Sequence, residues 1–372
     1  MSTVASLPLP ARRGARSPTQ RPAPRLALLG TGTVGGAFVA RCERLRARGA
    51  QGAALPAFAW LSNSRTLVSG GGDPRRAVEE ARAAPARAGG WPPWVENEGL
   101  RSGDIVVDAT ASDGVAGWHS EWLARGIHVV TANKLGNGAD LARAQAIAAA
   151  QRERPGVRYG DSATVGAGLP LLRSIRELVA GGDRIRAVEG VLSGSLAWLF
   201  DRYDASRAFS DLVREARDAG FTEPDPREDL GGEDVRRKLL ILARAAGVPL
   251  EPHAVRVESL LPEALAQASP AQVDERLGLL DAVLAEHQRQ ASADGARLRF
   301  VGRFGDDGAS VGLRALPDAH PLCAGRGTDN LVAIGSCRYR DQPLVIRGPG
   351  AGAEVTAAAL LDDVLRIAHP TP

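Results

Sequence analysis

An acidic loop followed by a lysine-bearing helix holds the residues of this 372-residue chain best suited to chemistry. Six acidic residues and two prolines lie between residues 220 and 238, directly before an apolar helical stretch at 239–243. The prolines restrict φ and stiffen the loop. Asp234 and Lys238 are four residues apart, so they share one helix face and can form an ion pair. We therefore expect Lys238 to be paired with a carboxylate and partly shielded from water.

Lysine is rare in this chain. Lys134 and Lys238 are the only two lysines among 46 basic residues, and all the others are arginines. Arginine cannot give up its proton in a protein, whereas a lysine in suitable surroundings can act as an acid or a base. The two lysines therefore predict a function that a guanidinium cannot supply. The alternative is that two surface lysines have been kept by chance.

Composition excludes several classes of protein. The length predicts two domains rather than one core, and no apolar run approaches the roughly 18 residues of a membrane span. Three scattered cysteines form neither a disulfide framework nor a zinc-binding spacing, and they indicate a reducing compartment such as the cytoplasm. The net charge is +3, but the first 25 residues contain five arginines and no acidic residue. We therefore predict a disordered basic tail at residues 1–24 and no nucleic-acid partner.

A glycine pattern near the start predicts a nucleotide-binding element. A predicted strand at residues 25–29 is followed by G-x-G-x-x-G, with Gly30, Gly32 and Gly35, and then by a helical pattern. In this context the glycines permit a tight turn and the close approach of a pyrophosphate at the helix N-terminus. An ordinary strand–turn–helix is the alternative.

The end of the second predicted strand bears on the choice of dinucleotide. A fold specific for NAD places an acidic residue there to bind the ribose 2′-hydroxyl. Residues 62–66 contain no acidic residue, whereas Arg65 and its polar neighbours could hold a 2′-phosphate. This favours NADP over NAD, with a surface arginine in a polar loop as the alternative.

Further predicted strands deliver polar residues to the same edge of the sheet. A strand at 104–110 ends near Thr110 and Ser112, and a strand from 126 ends at Lys134. Open α/β sheets bind ligands beyond the carboxyl ends of their strands. We therefore expect Lys134 and Thr110 to face a ligand.

Two more glycine turns precede helices. The carbonyls of the turn at residues 161–170 could ligate a small cation, although such a turn more often only caps a helix. A strand that ends at Gly348 leads through Gly350 and Gly352 into a helix at 356–367, which suggests a second element facing the ligand.

Taken together, these motifs resemble homoserine dehydrogenase, and most closely the dehydrogenase half of the bifunctional aspartokinase–homoserine dehydrogenases. The resemblance runs from about residue 25 to the end and rests on segments 30–35, 131–134, 165–170, 192–195, 222–238 and 348–352. It implies an α/β fold, with a Rossmann-type dinucleotide-binding domain at 25–160 and an inserted α+β catalytic and dimerisation domain at 161–340. A C-terminal segment, 341–372, would return to the nucleotide-binding domain, and the protein would form a homodimer.

The resemblance also implies roles for individual residues in the NAD(P)-dependent interconversion of L-homoserine and L-aspartate 4-semialdehyde, a step of threonine and methionine biosynthesis. Lys238 would transfer the hydroxyl proton with Asp234 supporting it, and Lys134 would lie where nicotinamide and substrate meet. The substrate would contact Glu223, Asp229, Thr164 and Gly194, the two acidic residues receiving its ammonium group. The cofactor-binding residues would be Gly30, Gly32, Thr33, Val34, Gly35, Arg65, Thr110, Ser112, Lys134, Gly350 and Gly352.

The family pattern also implies a monovalent cation such as Na⁺, bound by the carbonyls of Val165, Ala167 and Leu169. The carboxylate that the family places three residues before this valine is replaced by Ser162, with Asp161 one position earlier. Alternatives to this function are a related amino-acid dehydrogenase and a catalytically silent NADP-binding regulator. Aspartate-semialdehyde dehydrogenase is disfavoured, because it needs a nucleophilic cysteine in a suitable loop.

Overall fold

Short apolar strands that alternate with helices build the first of two six-stranded sheets. The computed structural model describes residues 23–49, 55–87 and 92–369. The strands of the first sheet are β1 (Arg25–Leu29), β2 (Ala57–Ser62), β3 (Leu67–Ser69), β4 (Ile105–Asp108), β5 (His128–Thr131) and β6 (Tyr159–Gly160). Their order is β3-β2-β1-β4-β5-β6, and all pairs are parallel except β2 with β3. The chain reverses its direction of winding between β1 and β4, which is where doubly wound sheets bind ligands.

Helices cover both faces of this sheet, as a parallel sheet with buried strands requires. They are α1 (Thr33–Ala47), α2 (Pro74–Ala83), α3 (Pro93–Glu96), α4 (Asp113–Gly117), α5 (His119–Ala124) and α6 (Leu141–Glu153). On one face Leu26 and Leu28 pack with Phe38 of α1. On the other face Trp94 and Trp122 pack against the opposite side of the strands. Residues 66–103, predicted to be a loose insertion with one short helix, contain β3, α2 and α3.

The second domain contains a mostly antiparallel sheet of longer strands. These are β7 (Ile185–Val191), β8 (Val255–Val257), β9 (Ala296–Gly305), β10 (Gly308–Pro317), β11 (Asp329–Ser336) and β12 (Leu344–Pro349). Their order is β12-β11-β7-β9-β10-β8, with β8 and β10 parallel. The helices are α7 (Leu171–Ala180), α8 (Gly194–Arg202), α9 (Phe209–Asp218), α10 (Arg227–Leu230), α11 (Glu233–Ala245), α12 (Glu263–Ala266), α13 (Val273–Arg276) and α14 (Asp281–Ala293). Several of these helices pack on one face of the sheet around the largest apolar core.

The helix that carries Lys238 begins at a glycine that no other residue would replace easily. Gly232 precedes α11 with φ of 79°, a left-handed conformation, and an added Cβ would lie 3.0 Å from the ring of Phe300. Glu233 and Asp234 lie in the first turn, where negative charge is favourable. Val235 and Leu239 are buried against the sheet, so Lys238 lies on a largely covered part of the helix.

The C-terminal segment departs from the predicted domain boundary. We predicted a return to the first domain from residue 341, but β12 pairs with β11 and extends the second sheet. Only the final helix, α15 (Ala353–Ala368), packs on the first domain, where Ala357 and Leu360 join the core beside α1. The return therefore begins after β12, because alternating Leu344 and Ile346 face the second core. The predicted tail at 1–24 lies almost entirely outside the described residues, and within the described ranges no helix is long and apolar enough to cross a membrane.

Candidate active site

The glycine turn between β1 and α1 is shaped by close backbone contacts. Gly30 has φ of 94°, and an added Cβ would lie 2.7 Å from the carbonyl oxygen of Ala109. A Cβ on Gly35 would overlap the carbonyl oxygen of Gly30. Gly32 precedes α1, and no side chain caps the first helical turn that Thr33 begins. The turn therefore leaves backbone N–H groups of α1 free to bind an anion.

A cavity of about 650 Å³ lies in front of this turn, at the junction of β1 and β4. Its lining combines the glycine turn with the ends of β2 and β4: Leu29, Gly30, Thr31, Gly32, Asn63, Ser64, Arg87, Pro92, Trp94, Ala109, Thr110, Ala111, Ser112 and Val115. The mixture of backbone donors, hydroxyls and apolar walls fits the phosphates, riboses and flat rings of a dinucleotide.

Two arginines near the cavity hold different parts of the backbone. Arg65 is exposed, and its guanidinium donates to the carbonyls of Arg82 and Ala84, at distances of 3.1 and 3.2 Å, at the end of α2. Arg82 donates to the carbonyls of Thr31 (2.6 Å) and Gly32 (2.9 Å), directly on the glycine turn. We did not predict Arg82, because it is one of many arginines in a segment without a motif.

A buried carboxylate joins the ends of β4 and β5. One oxygen of Asp108 accepts hydrogen bonds from the N–H (2.9 Å) and the hydroxyl (2.7 Å) of Thr110. The other oxygen accepts from Asn133 Nδ2 (3.0 Å) and lies 3.0 Å from His119 Nε2. Asn133 also donates to the carbonyl of Ser112 (2.8 Å). Asp108 therefore orders the turn that presents Lys134, and the only signal for it was its position at the end of an apolar strand.

The two lysines of the chain meet on one carboxylate. Lys238 Nζ lies 2.7 Å from Asp234 Oδ2 and donates to the carbonyl of Leu192 at 2.7 Å. Lys134 Nζ lies 3.2 Å from Asp234 Oδ1. Lys238 is 8% exposed, so the predicted ion pair and the predicted shielding are confirmed. Burial alone would raise the pKa of the Asp234 carboxyl, but the two ammonium groups outweigh it and hold the pKa well below its usual range.

The acidic loop folds back towards this site. Asp229 accepts a hydrogen bond from the Ser195 hydroxyl (2.6 Å) and another from the backbone N–H of Glu223 (2.9 Å). Burial raises the pKa of the Asp229 carboxyl, and these hydrogen bonds only partly oppose the increase. Glu223 itself is exposed. The loop thus presents one shielded and one solvated carboxylate.

The carbonyl of Leu192 accepts a second hydrogen bond, from a residue of β11. Asn330 is 0% exposed and donates to this carbonyl at 3.1 Å, so it shares the acceptor with Lys238. The Oδ1 atom of Asn330 has no hydrogen-bond partner among the described residues. A Cβ on Gly350 would overlap the Asn330 side chain, and one on Gly194 would lie 3.4 Å from the carbonyl of Thr328. Asn330 was not predicted, since no motif distinguishes it.

Other predicted site residues have different surroundings. Gly352 has φ of 121° and precedes α15. Thr164 is buried, and its hydroxyl donates to the carbonyl of Asp161 at 2.7 Å. The carbonyl of Leu169 accepts the N–H of Leu171 at 2.8 Å.

Residue 162 is a serine, so it offers no carboxylate to the turn at 165–169. Ser162 directs its hydroxyl and its N–H to Asp363 of α15, at 2.9 and 3.0 Å. Both oxygens of Asp161 are bound by Arg176, at 2.6 and 2.7 Å. The described part of the chain contains no group of three or more histidine, cysteine or acidic residues that could hold a metal ion. A cation at this turn would depend on backbone carbonyls.

The fold and the site define a class of protein. A doubly wound sheet presents a glycine turn and a cavity, and a second domain brings a buried lysine to the turn that carries Lys134. This arrangement is that of a two-domain nicotinamide-dependent oxidoreductase. Residues 30–159 match the family model described as homoserine dehydrogenase, NAD binding domain, and residues 170–365 match the model described as homoserine dehydrogenase. The chain belongs to the homoserine dehydrogenase family.

Individual relatives agree with this assignment. The chloroplastic bifunctional aspartokinase/homoserine dehydrogenase 2 of Zea mays is 41% identical over 292 residues, covering 78% of this chain and 32% of that protein. Homoserine dehydrogenase of Saccharomyces cerevisiae is 39% identical over 273 residues, covering 71% of this chain and 75% of the yeast protein. The chain therefore spans about a third of the length of the bifunctional relatives and resembles their dehydrogenase part.

Solved structures share the architecture. A Candida auris protein of unknown function has a TM-score of 0.81 at 34% identity, and the match covers 93% of this chain and 98% of that one. A hyperthermophilic archaeal homoserine dehydrogenase in complex with NADPH has a TM-score of 0.71 at 21% identity, covering 94% and 98%. The archaeal likeness concerns the fold alone.

Proposed function

We propose that this protein is a homoserine dehydrogenase in activity as well as in family, interconverting L-homoserine and L-aspartate 4-semialdehyde with a nicotinamide dinucleotide. The observation that carries the proposal is the buried Lys238, whose amino group lies between the carboxylate of Asp234 and the carbonyl of Leu192. An oxidation of an alcohol needs a group that takes the hydroxyl proton, and a shielded lysine amine suits that task.

Lys238 is the proton carrier in this mechanism. In the direction of semialdehyde reduction the Lys238 ammonium would donate its proton to the carbonyl oxygen, and homoserine oxidation is the reverse step, which starts from the neutral amine. A nicotinamide, when bound, would exchange the hydride with the same carbon. The positive charge gained by Lys238 is offset by Asp234, whose Oδ2 is 2.7 Å away. Asp234 also orients Lys134, so that both amino groups keep a defined position while the proton moves.

Glu223 and Asp229 receive the ammonium group of the amino acid in this proposal, with Thr164 and Gly194 as further substrate contacts. Burial disfavours the charged form of Asp229 and Lys238 offsets this only in part, so a substrate ammonium would supply a further counter-charge. Glu223 is exposed and free to approach the same group. An uncharged alcohol would gain nothing from these carboxylates, which gives the site a preference for amino acids.

We propose NADP as the preferred cofactor, with NAD as the second candidate. Residues 62–66, at the end of β2, contain no acidic residue. Arg82 donates to the glycine turn, and Arg65 donates to the carbonyl of Arg82. A bound 2′-phosphate would find positive charge there, whereas a 2′-hydroxyl would lack its usual carboxylate partner.

We propose separately that a monovalent cation such as Na⁺ binds to the carbonyls of Val165, Ala167 and Leu169. The N–H of Leu171 competes for one of these carbonyls, and Ser162 contributes no carboxylate. Turnover measured in sodium, potassium and tetramethylammonium chloride at equal ionic strength tests it. Equal rates in all three salts would remove the cation from the mechanism.

We also propose a homodimer that works in a reducing cytoplasm. Among the described strands β12 pairs only with β11 and forms an edge of the second sheet, and its Val345 is 42% exposed. An unpaired edge of this kind can bind a second copy of the chain. Val345→Lys should then convert a dimer into a monomer in light-scattering measurements, and an unchanged mass would move the interface elsewhere. The cysteines are free thiols, and Cys337 is exposed, as suits a reducing compartment.

One assay tests the central proposal. Purified protein is mixed with L-homoserine at alkaline pH, and the appearance of reduced cofactor is followed with NADP and, separately, with NAD. We expect turnover with both and a higher kcat/KM with NADP. A protein that binds NADP but reduces none of it with L-homoserine would instead be a silent regulator. Turnover with another amino-acid alcohol alone would reassign the substrate.

A further inference from the structure

The segment that follows Lys134 is pressed against the helix that carries Lys238. The N–H of Gly138 donates to the carbonyl of Lys134 at 2.7 Å, which closes a tight turn. A Cβ added to Gly138 would lie 2.7 Å from that carbonyl and 2.9 Å from the carbonyl of Arg237 on α11. The first domain therefore touches the backbone of α11 at a position where only glycine fits.

Two charged residues of the second domain, Arg244 and Glu251, bind the backbone of this segment at residues 137–141. Arg244, near the end of α11, donates from one guanidinium nitrogen to the carbonyls of Asn137 (2.5 Å) and Ala139 (2.7 Å). Its other nitrogens donate to the carbonyl of Leu250, at 3.2 and 2.9 Å. Glu251 accepts the N–H of Leu141, the first residue of α6, at 3.3 Å. One segment is thus bound through its carbonyls and its amide from across the domain boundary.

The guanidinium is suited to this position. Burial lowers the pKa of Arg244, and the nearby carboxylates of Glu251 and Asp140 oppose the shift. An arginine nevertheless stays charged in proteins, and its planar fork can bind several carbonyls at once. Arg244 lies outside the Lys134–Asp234–Lys238 ion-pair group, and its hydrogen bonds all go to backbone carbonyls.

We propose that Arg244, with Glu251, forms an interdomain latch that sets the distance between Lys134 and Asp234, and that Arg244 is a positioning residue for the reaction. Helix α11 carries Asp234, Lys238 and Arg244, while the latched segment begins just after Lys134. A rigid helix therefore transmits any movement of the latch to the 3.2 Å contact between Lys134 and Asp234. A displacement of about 1 Å at a reacting centre can cost up to 10²-fold in rate.

The experiment compares two arginines of α11. Arg244→Gln removes the latch, whereas Arg236→Gln removes a guanidinium that donates to the carbonyl of Pro252 within the second domain. We expect Arg244→Gln to lower kcat for homoserine oxidation on the order of ten-fold and to leave the Kd for the cofactor nearly unchanged. Arg236→Gln is expected to lower Tm with kcat retained. If Arg244→Gln does not fold, Arg244→Lys, which keeps the charge but loses the fork, is read in the same way.

A double-mutant cycle adds a second readout. Gly138→Ala disturbs the same segment from the other side, so its loss of kcat should not add to that of Arg244→Gln. Additive losses, or a lower Tm with the parent kcat in Arg244→Gln, would overturn the latch. The inference rests on the proposed activity: a parent protein that does not oxidise homoserine refutes that activity, whereas an active parent with unaffected variants refutes only the latch.

Discussion

The two halves of the candidate site are the cavity in front of the glycine turn and the surroundings of Lys238, and they differ in the groups that form them. Around the cavity the contacts come from backbone, from the glycine turn at 30–35 and from Asp108, whose two oxygens are fully engaged by neighbouring groups. Around Lys238 they come from charged side chains on a loop and one helix. Substitutions in the first half are therefore expected to act through steric clashes, because backbone groups crowd the turn. Substitutions in the second half are expected to act by changing the charges around Lys238.

The charged half contains a further contrast. Asp229 and Asp234 are five residues apart, yet the pKa of one is raised and that of the other lowered. Burial disfavours both carboxylates, but only Asp234 has two ammonium groups within 3.2 Å. Position relative to the lysines, not residue type, decides which carboxylate is stable as an anion.

The largest effect is expected at Lys238. Lys238→Arg keeps the charge and removes the ability to titrate, so kcat should fall at least about 10²-fold while the protein folds normally. The cofactor Kd should change little. Steady-state kinetics and Tm measure this, and a variant that turns over at close to the parent rate would show that Lys238 acts only as a fixed charge.

Steric crowding in the nucleotide half predicts a difference between two glycines of one turn. Gly35→Ala places a methyl group on the carbonyl of Gly30, whereas a methyl group at Gly32 meets nothing within 4 Å. We expect Gly35→Ala to lower the free energy of unfolding by about 1–3 kcal/mol and Gly32→Ala to leave it nearly unchanged. Urea denaturation of both variants provides the measurement. Equal losses would mean that the turn relaxes and that space is not limiting.

Asp229→Asn should weaken homoserine binding and raise Tm at pH 7. Losing a charged partner of the substrate ammonium should raise KM for homoserine roughly ten-fold or more. Because folding raises the pKa of Asp229, this group adds stability below its unfolded pKa and loses it as pH rises through its folded pKa. At pH 7 the asparagine variant should therefore have the higher Tm, with the advantage shrinking towards pH 4.

Asp234→Asn is the matched control for that experiment. Its pKa is lowered on folding, so the carboxylate adds stability above its unfolded pKa and loses it only as pH falls through the folded value. We expect this variant to have a lower Tm than the parent at pH 7. Tm shifts of the same sign in the two variants would contradict the opposed environments of the two carboxylates.

The smallest effect is expected at Arg65. An exposed arginine contributes modestly, so Arg65→Ala should raise KM for NADP by up to about five-fold and leave KM for NAD unchanged. Arg82→Ala should weaken both cofactors, because Arg82 binds the glycine turn itself. Kinetics with both dinucleotides separate the two arginines. Equal losses in Arg65→Ala would exclude a role in binding the 2′-phosphate.

Local patterns were sufficient for much of the fold. The strand before Gly30, the helix after it and the ion pair of Asp234 with Lys238 each depend on neighbours within a few residues, and the structure confirms them. The family assignment, the α/β class and the two-domain organisation rest on motifs of the same kind. Each of these motifs is a short run of neighbouring residues, so it could be recognised in the sequence without the tertiary structure.

The sequence by itself therefore determined the turns, most helices and the types of residue available for chemistry. Only the tertiary structure decided that Lys134 meets Asp234 100 positions away, that β12 joins the second sheet, and that Asn330 shares the carbonyl of Leu192. It also decided the opposite pKa shifts of two aspartates in one segment. These outcomes depend on strand order, burial and the docking of two domains, which are set by contacts between distant residues and have no local periodicity to reveal them.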